Sequence, residues 1–560
     1  MIDPTLRWQN GEKPEREAQY DAIVVGGGHN GLVCAAYLAR AGRRVCVLER
    51  RHLLGGACVT EEVWPGYRVS RASYVLSLLQ PKVIRELRLA EHGLRVRVCD
   101  PSWGTVTADG QPIVFWEGEP ERTRSEIAAV SKADAARWPE WERMLGRVAD
   151  VLRPLLLMQP PPGDVLRALA TAGKTLGLRR RDLADTMRLM TMSVGDLLDD
   201  WFENDAMKGS FASSGVVGVW AGPRTPGTAY NLLHHSVGEV NGVAGAWGQV
   251  EGGMGAVSEA VARAARAWGA DIRTSAAVAG VDVAGGRVRG VTLESGERLE
   301  APVVASAVHP RTLALDLVGR EHWPGDVVHD IERYRTRGGA VKINMVVSDL
   351  PRWRGIEGPD LERVWRDGDF AVCPSIEHLE RSWQHALMGE MSPQCGYLEV
   401  LTPSAGDPTL IDEGLPGHVM SLYTQFGPPQ REIWTDATRE AYAAAAMDLL
   451  RTAAPNMTDA VIMHREVLAP PDLEDVFGLV GGNIFHGEQG LNQLGPLRPT
   501  PALARYATPI AGLYLCASGS HPGGGVTGVP GHNAARRILG DDPLVERLRR
   551  KRTAIAGRRG

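Results

Sequence analysis

The sequence predicts an α/β fold in which a parallel, nucleotide-binding sheet unit is interleaved along the chain with a mixed sheet-and-helix region. Three observations carry that prediction. An apolar strand, a glycine turn, a helix and a second apolar strand follow one another within residues 21–49. A stretch rich in Leu, Arg, Ala and Met at helical spacing occupies about 120–215. Alternating strand patterns return at 278–306, and an apolar strand followed by a dense glycine loop lies near 513–528. At 560 residues the chain exceeds what one compact core organises, so two connected domains are expected.

The bulk composition excludes several classes. Hydrophobic residues at 44% and charged residues at 23% are ordinary for a soluble globular enzyme. A net charge of −5 gives no global attraction to nucleic acid, whose binding is mainly electrostatic. The 7 cysteines are scattered and form no CxxC, which argues against a zinc site, a disulfide framework or a dithiol centre. No apolar run is long enough to span a bilayer. The first twenty residues are polar and contain acids, unlike a signal or transit peptide, so a cytoplasmic protein is expected.

Taken in order, residues 1–20 read as an arm leading into the strand DAIVV (21–25). VVGGGHNGL (24–32) then opens a helix over 30–41, and RVCVLE (44–49) is the second strand. In this turn Gly26 permits the reversal, Gly28 lets the backbone approach a pyrophosphate, and Gly31 allows close packing of helix on strand. The helix N-terminus offers free N–H groups and partial positive charge to the phosphates. Glu49 ends the second strand, where a carboxylate can accept both ribose hydroxyls. Together these features predict dinucleotide binding.

Helical patterns follow over 141–158 and 180–202, with a proline break at 160–162. Strands with GG and SG turns occupy 278–306, a mixed region covers about 330–490, and the strand LYLCA (513–517) precedes the glycine loop and a helix from about 531. Residues 545–560 are strongly basic and read as a solvated tail.

After Glu49 the chain reads RRHLLGGACVTEE (50–62), and ER followed by LGG resembles the extended FAD motif of glutathione-reductase-type flavoproteins, in the amine oxidase and phytoene desaturase branch. Two further blocks resemble that family: 249–297 its middle segment, and YLCASGSHPGGGVTGVPGHNAARRIL (514–539) its carboxy-terminal flavin motif. HNG, SRASYVLSLL (70–79), GTAYNLLHH (227–235), NIFHGE (483–488) and SHPGGG (520–525) most resemble the pyridine nucleotide-disulfide oxidoreductase domain-containing protein 2 group. The group's name notwithstanding, no cysteine pair is present for a dithiol mechanism.

The resemblance implies the FAD-linked reductase fold: a Rossmann-like FAD domain from 20–100, 240–330 and 500–540, a discontinuous mixed sheet and helical substrate domain from 101–239 and 331–499, and the tail at 541–560. It implies non-covalent FAD, with Gly55 and Gly56 turning against the pyrophosphate, Arg50 along the adenosine and Val278 near the adenine. Gly519 and Ser520 would approach the pyrophosphate and ribityl chain, and Gly525, Val526 and Thr527 would lie along the isoalloxazine. The SGSHPGGGVTG loop can also form a backbone nest for a phosphate. Ser520 stands where many relatives carry an acid.

The leading expectation is hydride transfer from a small or lipophilic organic substrate to FAD. No second strand–GxGxxG–helix unit is seen, which favours dioxygen or a quinone as electron acceptor over nicotinamide. His486 and His235 are the candidate bases, followed by His234, each weighed against a hydrogen-bonded structural role; His521 is read as shaping the flavin loop, and Tyr230 as a possible donor or a packed core tyrosine. The helical region would cap the substrate cavity or simply form core, and VLRPLLLMQ (151–159) is apolar enough for peripheral membrane contact, though Arg153 interrupts it. Two rival functions stay open: a redox-neutral polyene isomerase using reduced flavin, and a flavin-bound interaction protein without turnover.

Overall fold

The computed structural model describes residues 19–160 and 180–540. The amino-terminal arm up to residue 18, the prolines at 161 and 162 and the basic tail lie outside these residues.

Strands with apolar residues at every position need cover on both faces, and the protein supplies it. A five-stranded parallel sheet has the order Asp271–Arg273, Val45–Leu48, Ala22–Val25, Val304–Ser306 and Leu513–Leu515. On one face the helix His29–Arg40 packs between Gly255–Ala267 and Val529–Ile538. Glycine makes that packing tight: a Cβ on Gly531 would stand 2.1 Å from the Asn30 carbonyl oxygen. The other face is covered by a three-stranded antiparallel sheet (Val278–Ala284, Arg287–Leu293, Arg298–Glu300) and the helix Gly325–Arg333. Gly285 and Gly286 both take positive φ, as a two-residue hairpin turn requires.

A seven-stranded sheet forms the second layer system, in the order Ile462–Leu468, Val341–Val347, His418–Thr424, Leu398–Leu401, Phe370–Val372, Trp103–Val106 and Pro112–Phe115. Its pairings are antiparallel except that of Phe370–Val372 with Trp103–Val106. The helix Asp436–Ala453 joins the core on one side. Helices Lys132–Leu156, Arg180–Thr191, Val194–Trp201, Asp205–Val216 and Thr228–Ser236 gather on an aromatic-rich core with Trp138 and Trp141 at its centre. The first of these begins earlier than its apolar periodicity suggests, capped by Ser131, whose hydroxyl accepts from the Asp134 N–H at 3.0 Å. It holds Pro139 and Pro154 within its length and ends at Leu156, ahead of the proline break expected at 160–162. No helix among the described residues is long and apolar enough to cross a membrane.

Candidate functional site

At the carboxyl ends of the parallel strands, the first turn leaves an open cleft. Gly26 has φ +101°. A Cβ on Gly31 would lie 2.2 Å from the Gly26 carbonyl oxygen, so no larger residue fits there without a shift. Gly28 differs: an added Cβ would meet only the Gly55 carbonyl oxygen, at 3.9 Å. Its missing side chain leaves space rather than preventing a clash. The helix beginning at His29 has no side-chain cap and no acid in its first turn, so its N–H groups face this space uncompensated. Gly55 forms a bridge with Gly28, and Gly56 follows with φ +59°.

The cleft is lined by Gly26, Gly28, Gly31, Glu49, Arg50, Gly55, Gly56 and Val278 together with Ala517, Ser518 and His486. Glu49 is buried, and each of its oxygens already accepts a backbone N–H, from Gly27 at 2.7 Å and from Arg51 at 2.9 Å. A carboxylate keeps further lone pairs for ribose hydroxyls. Arg50 donates to the Asp475 and Val476 carbonyls at 3.0 and 3.1 Å, which ties the rim to the helix Pro470–Phe477. Buried polar atoms without partners cluster here: His29 Nε2, Asn30 Oδ1, His309 Nε2 and His486 Nδ1. Such orphans, an uncapped helix end and the void before Gly28 fit a large polar ligand of dinucleotide type.

The carboxy-terminal loop meets the cleft earlier than the sequence suggests. Gly519 and Ser520 are not among the cleft-lining residues; Ala517 and Ser518 are. The reason is a turn in which the Ser520 N–H donates to the Ala517 carbonyl, tucking Gly519 against Pro310 and burying Ser520. Ser518 Oγ accepts from Asn30 Nδ2 at 3.0 Å, locking this loop to the first helix. Gly525 and Val526 line the neighbouring cavity instead, and Thr527 is buried at the start of the last helix.

That cavity shares His29, Ala57, Leu479, Ile484 and Ser518 with the cleft. Its walls include Leu78, Val217, Ala340, Leu473, Phe485 and Trp247, and its polar groups include Tyr74, Tyr423, His235 and Lys342. Lys342 is 1% exposed. Its Nζ donates to Asn344 Oδ1 at 2.8 Å and to Ser421 Oγ, and lies 5.5 Å from the Tyr74 ring centroid. Burial pulls its pKa down to about 7, only partly opposed by the charge of Glu466. Sequence reasoning missed it, although a lone lysine inside the apolar run AVKINMVV (340–347) was a signal. Behind Tyr74, Glu399 accepts that tyrosine's hydroxyl proton in a hydrogen bond. Burial raises the Glu399 carboxyl to about 7, and burial followed by the nearby Glu399 charge raises Asp369 well above the usual range.

Of the histidines, His235 lines the cavity, with Nδ1 2.8 Å from the Asn231 carbonyl oxygen. Burial lowers its pKa. His486 lines the cleft, with φ +57° and a pKa pulled to about 4 by burial and then by the charges of His29 and Arg498. His234 and Tyr230 are packed in the core, and His521 Nε2 lies 3.2 Å from the Leu155 carbonyl oxygen. All 7 cysteines are free and buried. Arg153 pairs with Asp150 and donates to the Val237 carbonyl, so the segment considered for membrane contact is anchored inward at that residue.

The family model described as "Flavin containing amine oxidoreductase" matches residues 31–539. "Pyridine nucleotide-disulfide oxidoreductase domain-containing protein 2" of Rattus norvegicus is 38% identical over 566 residues, covering 96% of each chain. A limonene dehydrogenase chain of Castellaniella defragrans is 24% identical over 540 residues, covering 93% of this chain and 95% of its own. Among solved structures, an oxidoreductase from Methanosarcina mazei aligns with a TM-score of 0.58 at 14% identity, over 93% of this chain and 99% of its own, a likeness of fold.

Proposed function

The chain belongs to the flavin containing amine oxidoreductase family and is an FAD-dependent oxidoreductase, and from that premise we propose that it takes a hydride from a neutral, lipophilic organic substrate held in the cavity beside Ser518. One observation carries the substrate class. No carboxylate lines this apolar cavity among the described residues, and its one ammonium group, Lys342, is held near neutrality by burial. A protonated amine entering it would lose hydration without gaining a counter-charge. The resemblance to a relative named as a limonene dehydrogenase supports the same class.

We assign FAD to the large cleft. Gly28 and the helix N-terminus would hold the pyrophosphate, Glu49 the adenosine ribose and Val278 the adenine side. The redox-active end would meet the cavity at His29, Ala57 and Ser518. When bound, the flavin supplies hydride acceptance at one ring face. The neutral form of Lys342 would take the proton that leaves the substrate, with Asn344 and Ser421 fixing the amine; His235 is the second candidate for that role. The apolar walls exclude water. The acceptor that reoxidises the enzyme is dioxygen, a quinone or another carrier in this reading, since the one parallel sheet among the described residues, with its glycine turn, serves a single dinucleotide.

Anaerobic mixing with limonene or a longer polyene tests the reading. The yellow absorbance should bleach, and Lys342→Met should slow the bleaching about 10²- to 10⁴-fold with FAD content unchanged. Bleaching by primary amines alone, or an unaffected rate in the variant, would contradict the assignment.

A further inference from the structure

Beyond the cavity beside Ser518 lies a second one that the proposed hydride transfer does not use. Its inner wall is aromatic: Trp103, Phe115, Trp138, Trp141 and Phe211. Trp138 and Phe211 stack with centroids 5.8 Å apart, and Phe115 tilts against Trp138 at 5.1 Å. Its mouth carries Glu117, Glu142 and the Asp150–Arg153 pair, which marks the solvent side.

The two cavities adjoin at Trp103, which lines the second, and Trp247, which lines the first. Ala244 and Gly245 face the second cavity, while Trp247 faces the first. Ser236 faces the second and its neighbour His235 the first. The barrier is an edge-to-face pair, Trp103 against Trp247, with centroids 5.8 Å apart and planes at 72°. Trp247 is only half-buried although Ala246 and Gly248 on either side are buried, because its ring borders open space. Its carbonyl accepts from the Cys99 N–H at 2.8 Å, which pins the backbone, and its ring packs against Trp103 and His235.

We propose that the second cavity is the outer lobe of the substrate site, receiving the part of a long unsaturated hydrocarbon that extends past Trp247, and that Trp247 sets the length accepted. Flat aromatic walls suit a conjugated chain through stacking and area burial. The proposal rests on the reading of the first cavity as a lipophilic substrate site.

Gly146 offers a clean plug. It lies within the helix Lys132–Leu156 and lines the outer lobe, and a Cβ there would meet nothing within 4 Å. Replacing a helical glycine also removes a propensity cost, so Gly146→Trp should fold. Binding of limonene as the short probe and retinol as the long one is followed by quenching of tryptophan fluorescence in the holoprotein, with circular dichroism as the control for folding. Gly146→Trp should weaken retinol at least tenfold and leave limonene unchanged. Equal retinol affinity in wild type and Gly146→Trp would overturn the outer lobe while leaving the first cavity's assignment intact. Failure of both probes to bind wild type would overturn the lipophilic reading and the lobe with it.

Discussion

Single residues at the site do different kinds of work, and the distances separate them. Gly31 is small because a side chain would strike the Gly26 carbonyl, whereas a Cβ on Gly28 would meet only the Gly55 carbonyl oxygen, at 3.9 Å. The sequence motif treats both as glycines of one turn. Lys342 shows the opposite limit, because nothing local announces what surrounds it. In register it stands opposite Tyr423, which in turn stands opposite Glu399, residues brought together only when strands distant in sequence pair. Its burial also has a thermodynamic consequence. The unfolded lysine titrates near 10.4 and the folded one at about 7, so between those values the unfolded state binds more protons. Stability should therefore rise as pH climbs from about 7 toward 10. Lys342→Met should flatten that slope and raise Tm at neutral pH, even as it slows flavin reduction. Urea titrations across this range check it, and an unchanged pH slope in the variant would count against a near-neutral lysine.

Elements were legible where their causes are local. The first strand, turn, helix and second strand are written in about thirty consecutive residues, and the structure forms them as Ala22–Val25, His29–Arg40 and Val45–Leu48. The hairpin turns with GG and SG were readable for the same reason. The seven-stranded sheet was not, since its strands come from between residues 103 and 468 and their pairing depends on packing. Nor was the path of the loop at 517–520, where a backbone turn moved the cleft-lining positions to Ala517 and Ser518. The long helix Lys132–Leu156, which walls the outer lobe, shows how much rests on one cap. Ser131 accepts from Asp134 N–H and donates to Glu203 at 2.8 Å. Ser131→Ala should cost about 1 kcal/mol, read as a lower urea midpoint at unchanged m-value.

At the scale of the whole molecule, the cleft is assembled from segments far apart in the chain: the first turn, the strand at Val278, the helix at Pro470–Phe477 and the loop at Ala517. A ligand in contact with all of them stabilises the folded state by its binding free energy. That arrangement makes FAD occupancy the most direct test of the account's central claim, that FAD lies in this cleft against Gly28. Gly28 has φ −67° and ψ 162°, a conformation that valine adopts readily, and its Cβ direction is open. Gly28→Val should therefore fold with wild-type circular dichroism while filling the space assigned to the pyrophosphate. The measurement is FAD released by heat or acid per mole of folded Gly28→Val protein. The account predicts colourless protein with FAD close to zero; flavin at wild-type stoichiometry in the folded variant would contradict it.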